Sequence, residues 1–206
     1  MSKRIKTIIS IVISLIIFGL EIYCLVHNID YLVKGGDNNK YRYYTNISNF
    51  VVGFICLANA IVLTINLLKK KDDYPLALSI IKFVGISMTT LTFFMVVCFV
   101  PFYGFKRAYG GDKLITHLIA PVLVAISYLF FDEKQIFKWK LSLLANIPVI
   151  IYSIVYIVNV ICLSRWPDIY KVNQNGFWYV YILIALVSGF ALSQGLYFLK
   201  KLLVKK

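Results

Sequence analysis

Two side chains in this 206-residue chain are of types that together do acyl chemistry: Thr45 and His117. A hydroxyl becomes a competent nucleophile when an adjacent imidazole takes its proton, and the same imidazole can return that proton to a leaving group. Thr45 stands in Tyr43-Tyr44-Thr45-Asn46-Ile47-Ser48-Asn49, the polar opening of a long apolar run, and His117 in Leu114-Ile115-Thr116-His117-Leu118-Ile119-Ala120-Pro121, the opening of another. Pro121 lacks an N–H, which frees the carbonyl of residue 117 and opens the helix locally. On residue types alone, a helix cap and an interfacial side chain are the more frequent account of such a pair. No GxSxG elbow, glycine-rich phosphate loop, HExxH helix or acidic metal cluster occurs, which argues against the common soluble hydrolase, kinase and metalloprotease chemistries. No cofactor is expected. Nor is a metal: the two histidines are far apart, and Cys24, Cys56, Cys98 and Cys162 form no CxxC pair and read as packing residues.

Other polar residues flank the pair. Ser10, Ser14, Glu21 and Asn28 fall on one helical face, with Glu21 deep inside an apolar run. Its carboxyl has two readings, a helix-packing group satisfied by Tyr or Asn, or a group that touches substrate or orients the imidazole. Thr45, Ser48 and Asn49 share a face that Cys56, Asn59 and Asn66 extend, a stripe that can also glue helices together. Asn46, Asn49 or the N–H groups of the helix's first turn are candidate oxyanion donors. Asn46-Ile47-Ser48 also matches a glycosylation sequon, read as accidental because it lies at the membrane. Tyr152, Tyr156 and Asn159 recur at i, i+4 and i+7, with Pro148 as a kink, and with Trp166 they are the candidate substrate pocket. In Ser164-Arg165-Trp166-Pro167-Asp168-Ile169-Tyr170 the aromatics suit an interfacial belt, while Asp168 could reach inward and orient His117.

The elements that must position these residues follow from composition. The chain is 60% apolar and 15% charged with mean hydropathy +0.79, too apolar for a soluble globule of this size. A bilayer core about 30 Å thick needs roughly 20 helical residues, and six runs supply them, at about 5–33, 44–68, 76–100, 114–131, 141–163 and 177–199. The runs lack the alternation of barrel strands, so the expected fold is all-α, one domain over 1–206, a bundle of six transmembrane helices. The net charge of +13 falls in short clusters between the runs and reads as topology, with no nucleic-acid partner. With the N-terminus cytoplasmic the inner segments hold thirteen Lys and Arg (Lys3, Arg4, Lys6, Lys69, Lys70, Lys71, Lys134, Lys138, Lys140, Lys200, Lys201, Lys205 and Lys206) against eight outside, so both termini are placed inside. Lys82 is expected to snorkel from the third run. The first run is too long for a signal peptide and lacks a cleavage site. With no internal repeat and no charge pair at mid-membrane, an ion-coupled carrier is disfavoured. Thr45 and His117 then lie within about one helical turn of the same outer boundary.

The two polar openings carry a resemblance. Tyr43-Tyr44-Thr45-Asn46-Ile47-Ser48-Asn49 resembles the motif around the catalytic threonine of the androgen-induced/androgen-dependent family of six-span membrane hydrolases and their bacterial relatives. His117-Leu118-Ile119-Ala120-Pro121, running to Phe130-Phe131-Asp132, resembles that family's histidine motif, and Trp166-Pro167-Asp168-Ile169-Tyr170 is similar to its late aromatic–proline motif. Span count and motif order agree over nearly the whole chain. The resemblance implies an intramembrane threonine hydrolase with Thr45 as nucleophile and His117 as base, acting on lipid esters such as fatty acid esters of hydroxy fatty acids. Membrane lipids are then both environment and substrate. A more distant branch uses Cys with His for acyl transfer, and Thr45 at the matching position disfavours that chemistry. The alternatives are a non-enzymatic transporter or lipid-binding protein, whose polar stripes line a path, and a lipid acyltransferase. The Lys- and Ile-rich composition suggests a bacterial plasma membrane.

Overall fold

Hydrocarbon offers no partner for N–H and C=O groups, so a continuously apolar run must close its hydrogen bonds within itself as a helix. The computed structural model describes residues 2–34, 41–71, 73–132, 137–173 and 175–204, and among these there is no strand. Six helices are long and apolar enough to cross a membrane: α1 (Lys3–Val33), α2 (Tyr44–Lys69), α3 (Leu76–Tyr103), α5 (Asp112–Phe131), α6 (Trp139–Cys162) and α7 (Trp178–Val204). A five-residue helix, α4 (Phe105–Tyr109), joins α3 to α5. The chain is an all-α, multi-pass membrane protein. Of the charges counted for orientation, Lys40, Lys134, Lys205 and Lys206 lie outside the described residues.

The burial pattern suits a lipid solvent. Val12, Leu15 and Ile16 of α1, Ile150, Ile151 and Ile154 of α6, and Leu183, Val187 and Phe190 of α7 are all exposed, a surface that water would not tolerate. α3 is the central helix, with 50% of its most apolar stretch buried against 22–33% for the others. Its Phe83 packs edge-on against Phe137 and tilted against Tyr128.

Two prolines shape the helices. Leu144 cannot receive an N–H from Pro148, so the chain tightens to a 3₁₀ turn over Leu143–Asn146 in which Ile147 N–H reaches Leu144 O instead. In α5 the opposite adjustment occurs: Ile115–Ile119 is a π turn, with Ala120 N–H bonded five residues back to Ile115 O. Widening by one residue carries the carbonyl of His117 past the missing N–H of Pro121.

One end of the bundle is held by a buried polar cluster. Lys82 is 3% exposed and does not snorkel; its Nζ lies 2.7 Å from Asp132 Oδ2. Ser10 and Ser127 donate to Asp132 Oδ1 at 2.6 and 3.0 Å, and Lys200 donates to the carbonyls of Tyr128 and Asp132. Asn59 extends the cluster to Ser14 and accepts from Tyr74. This ion pair lies at one end of the bundle, so it does not bear on the expectation of no charge pair at mid-membrane. Sequence missed the pair because Asp132 lies just past its apolar run and meets Lys82 and Lys200 only in three dimensions. Burial pushes the Asp132 carboxyl up, but Lys82, Ser10 and Lys200 together hold it below the usual carboxylate range. Because Ser10 and Lys82 are near helix starts while Asp132 and Lys200 are near helix ends, the two ends of the described chain share this side. The openings of α2 and α5 are at the opposite side.

Candidate functional site

At that opposite side lies a cavity of 480 Å³. Thr45 and Asn46 of α2 and His117 of α5 line it together with Asp112 and Thr116. Leu91 and Met95 of α3, Val149, Tyr152 and Tyr156 of α6 and Ala185 of α7 supply most of its apolar wall, and residues 169–172 contribute a further side. The two residues singled out for nucleophile and base thus face one space, though no hydrogen bond joins them directly.

His117 has a defined tautomer. Its Nδ1 is 2.7 Å from Ala108 O, and a carbonyl only accepts, so Nδ1 carries the proton and the Nε2 lone pair is left for base chemistry. Ala108 belongs to α4, which ends at Gly110-Gly111. A Cβ at 110 would sit 2.5 Å from Lys106 O, and Gly111 has φ 62, so this turn requires glycine to bring α4 against α5. The orienting group of the imidazole is a main-chain carbonyl, which no sequence pattern announces.

Neither carboxylate considered for that role takes it. Glu21 is 5% exposed and packs at the α1–α2 contact, where Gly53 makes room: a Cβ there would lie 2.9 Å from Glu21 Cβ. Glu21 is not among the residues lining the cavity. Asp168 organises the loop after α6: Oδ1 accepts from Tyr156 OH at 2.7 Å and Val172 N at 3.0 Å, and Oδ2 from Asn173 N at 2.8 Å.

Thr45 sits in the first turn of α2, and this turn is tied down. Tyr44 N–H donates to Tyr170 OH at 2.7 Å, and Ser48 Oγ donates to Thr45 O at 2.9 Å. Asn49 is fully buried, and its Nδ2 donates both to Thr45 O at 2.8 Å and to Thr116 O at 2.9 Å. Both amide protons are spent, so Asn49 is not available as an oxyanion donor. Asn46 lies on the cavity wall.

Tyrosines dominate one wall, and the hydroxyls of Tyr152, Tyr156 and Tyr170 are engaged in the scaffold. Tyr170 donates to Tyr152, Tyr152 donates to Arg42 O at 2.6 Å, and Tyr156 donates to Asp168. The rings of Tyr44 and Tyr152 meet at 5.1 Å and those of Tyr156 and Tyr170 at 5.6 Å. The wall therefore offers mainly ring surface to a ligand. Asn159 and Trp166, expected in the pocket, lie outside its lining. Asn159 caps α6, accepting from Arg165 N at its main-chain carbonyl at 2.8 Å, and Trp166 stacks under the Arg42 guanidinium at 5.3 Å. Asp112, Leu91, Met95 and Ala185 were not foreseen as lining residues; Gly110-Gly111 before Asp112, a helix-start signal, was the available hint for the first.

The loop's anchor has a pH consequence. Burial first, then the neighbouring Tyr152, push the Tyr170 phenol well above its ordinary range. The fold favours the protonated form, so this stabilisation is complete below the unfolded value of about 10 and is lost as pH rises through the folded value. Thermal stability of the purified protein should fall as pH climbs past about 10, and Tyr170→Phe should make that decline shallower.

The chain matches no known protein-family model, no curated protein and no solved structure.

Proposed function

We propose that the protein hydrolyses lipid esters within the membrane, with Thr45 as nucleophile and His117 as general base. The observation that carries this reading is that Thr45 and an imidazole with Nδ1 anchored on Ala108 O line one largely apolar cavity in a membrane-spanning bundle. His117 Nε2 takes the Thr45 hydroxyl proton as Oγ1 attacks the ester carbonyl carbon. The oxyanion is met by N–H groups at the start of α2, the Asn46 amide among them. The imidazolium then protonates the departing alkoxide oxygen, leaving an acyl-threonine and free alcohol. Water attacks the acyl carbon, giving its proton to His117, which returns one to Thr45 as the fatty acid leaves.

The resemblance to the androgen-induced/androgen-dependent hydrolases favours this chemistry, and fatty acid esters of hydroxy fatty acids are the first substrates to test. The acyl chain packs against Leu91, Met95, Val149 and the tyrosine rings. Positive-inside counting favours the orientation with both termini cytoplasmic and the cavity in the outer leaflet, and the Lys- and Ile-rich composition favours a bacterial plasma membrane. Purified protein in detergent, given such an ester, should release free fatty acid. Transfer of the acyl group to an added lipid alcohol without free acid would indicate an acyltransferase. Binding without turnover would indicate a lipid carrier.

A further inference from the structure

We propose that Asn49 is the positioning residue that sets the separation between Thr45 and His117; the inference rests on the hydrolase reading above. Thr45 lies at the end of a helix, where the backbone frays most readily, and His117 lies in a π turn, which departs from regular helix geometry. Productive proton transfer needs the two side chains held within hydrogen-bond reach during turnover. A single side-chain amide bridges the two segments directly, through Nδ2 bonds to Thr45 O at 2.8 Å and to Thr116 O, adjacent to His117, at 2.9 Å.

The orientation of this amide follows from its partners. Turning it over would set Oδ1 against two carbonyl oxygens, so the donor must face them. The cost is visible on the other side, where Asn49 Oδ1 is buried without a partner. A buried acceptor left in this way is normally destabilising, and an apolar residue would avoid the problem. A bridge between two backbone segments of the site is what the amide provides in return. Ser48 reinforces it, donating to Thr45 O and lying 3.1 Å from Thr92 Oγ1, so the nucleophile's peptide is braced against α3 as well.

The same helix contains its own control. Asn59 is also buried, at 1% exposure, and its Nδ2 also serves two partners, Ser14 and Ser10, at the far end of the bundle. Asn49→Ala and Asn59→Ala should lose similar thermal stability. Asn49→Ala alone should lower kcat about 10²-fold, the scale expected of a misplacement near 1 Å, with KM little changed because the cavity wall is intact. Wild-type and Thr45→Ala protein are measured beside them on the same ester. Equal kcat in the two asparagine variants, or an Asn49→Ala defect confined to KM, would overturn the positioning role while leaving the hydrolase reading in place. Turnover undiminished in Thr45→Ala would instead overturn the hydrolase reading. Should Asn49→Ala fail to fold, Ser48→Ala removes the reinforcing contacts to Thr45 O and Thr92 Oγ1 and should show a smaller kcat loss in the same direction; an unchanged kcat there would overturn the bridge.

Discussion

Thr45→Ala and His117→Ala should each reduce ester hydrolysis by about 10⁴-fold or more, and the double variant should be no worse than either alone. Thr45 supplies the atom that forms the acyl bond, and alanine has nothing to replace it. Among the described residues, His117 supplies the only imidazole lining the cavity. Because one group deprotonates the other, removing either removes the same step, and the losses do not add. Both side chains lie on the cavity wall and neither is fully buried, so each variant should keep near-parental thermal stability. A chromogenic or fluorogenic fatty acyl ester, assayed under single-turnover conditions, reads this out.

Asp132→Ala should cost about 3–5 kcal/mol of stability, the range for removing one partner of a buried ion pair. The loss comes chiefly from what remains: the Lys82 amine, 3% exposed, stays buried without its carboxylate partner, and Ser10 and Ser127 lose their acceptor. Removing both charges with Lys82→Met and Asp132→Asn should recover much of it, since a neutral pair of similar volume avoids the desolvation penalty. The native carboxyl is held below the usual range, so its stabilisation is present above the unfolded value of about 3.9 and is lost as pH falls through the folded value. Stability attributable to this cluster should therefore be flat from neutral pH down to about pH 4 and decline only below it. Unfolding in mixed micelles, followed across pH for wild type, Asp132→Ala and the Lys82→Met/Asp132→Asn double variant, tests both statements.

The six helices were legible because a bilayer imposes one solution on an apolar run of sufficient length, and runs of Leu, Ile, Val and Phe announce themselves. The depth of Thr45 and His117 was legible for the same reason, since position along a span is counted in residues. What could not be read was rotation and partner choice. Glu21 is a candidate orienting group from its acidity and its depth in an apolar run, yet it packs against Gly53, and the imidazole is held by a main-chain carbonyl that any residue at 108 would offer. Asn159 follows the spacing of Tyr152 and Tyr156 but falls at the π turn of α6, where the register departs from regular helix and the side chain leaves the cavity face. Lys82 was read as snorkelling from its place in the span, whereas its partner arrives from the end of a different helix. In each case the composition of a segment was informative and its three-dimensional neighbour was not.

The central claim is that Thr45 carries the acyl group. Treating the purified protein with a fluorophosphonate that bears a fatty alkyl chain, digesting it and locating the adduct by tandem mass spectrometry measures this directly. The expected result is phosphonylation of the Thr45 hydroxyl in wild type and loss of that adduct in His117→Ala. An adduct on another residue, or labelling that persists in Thr45→Ala, would contradict the account.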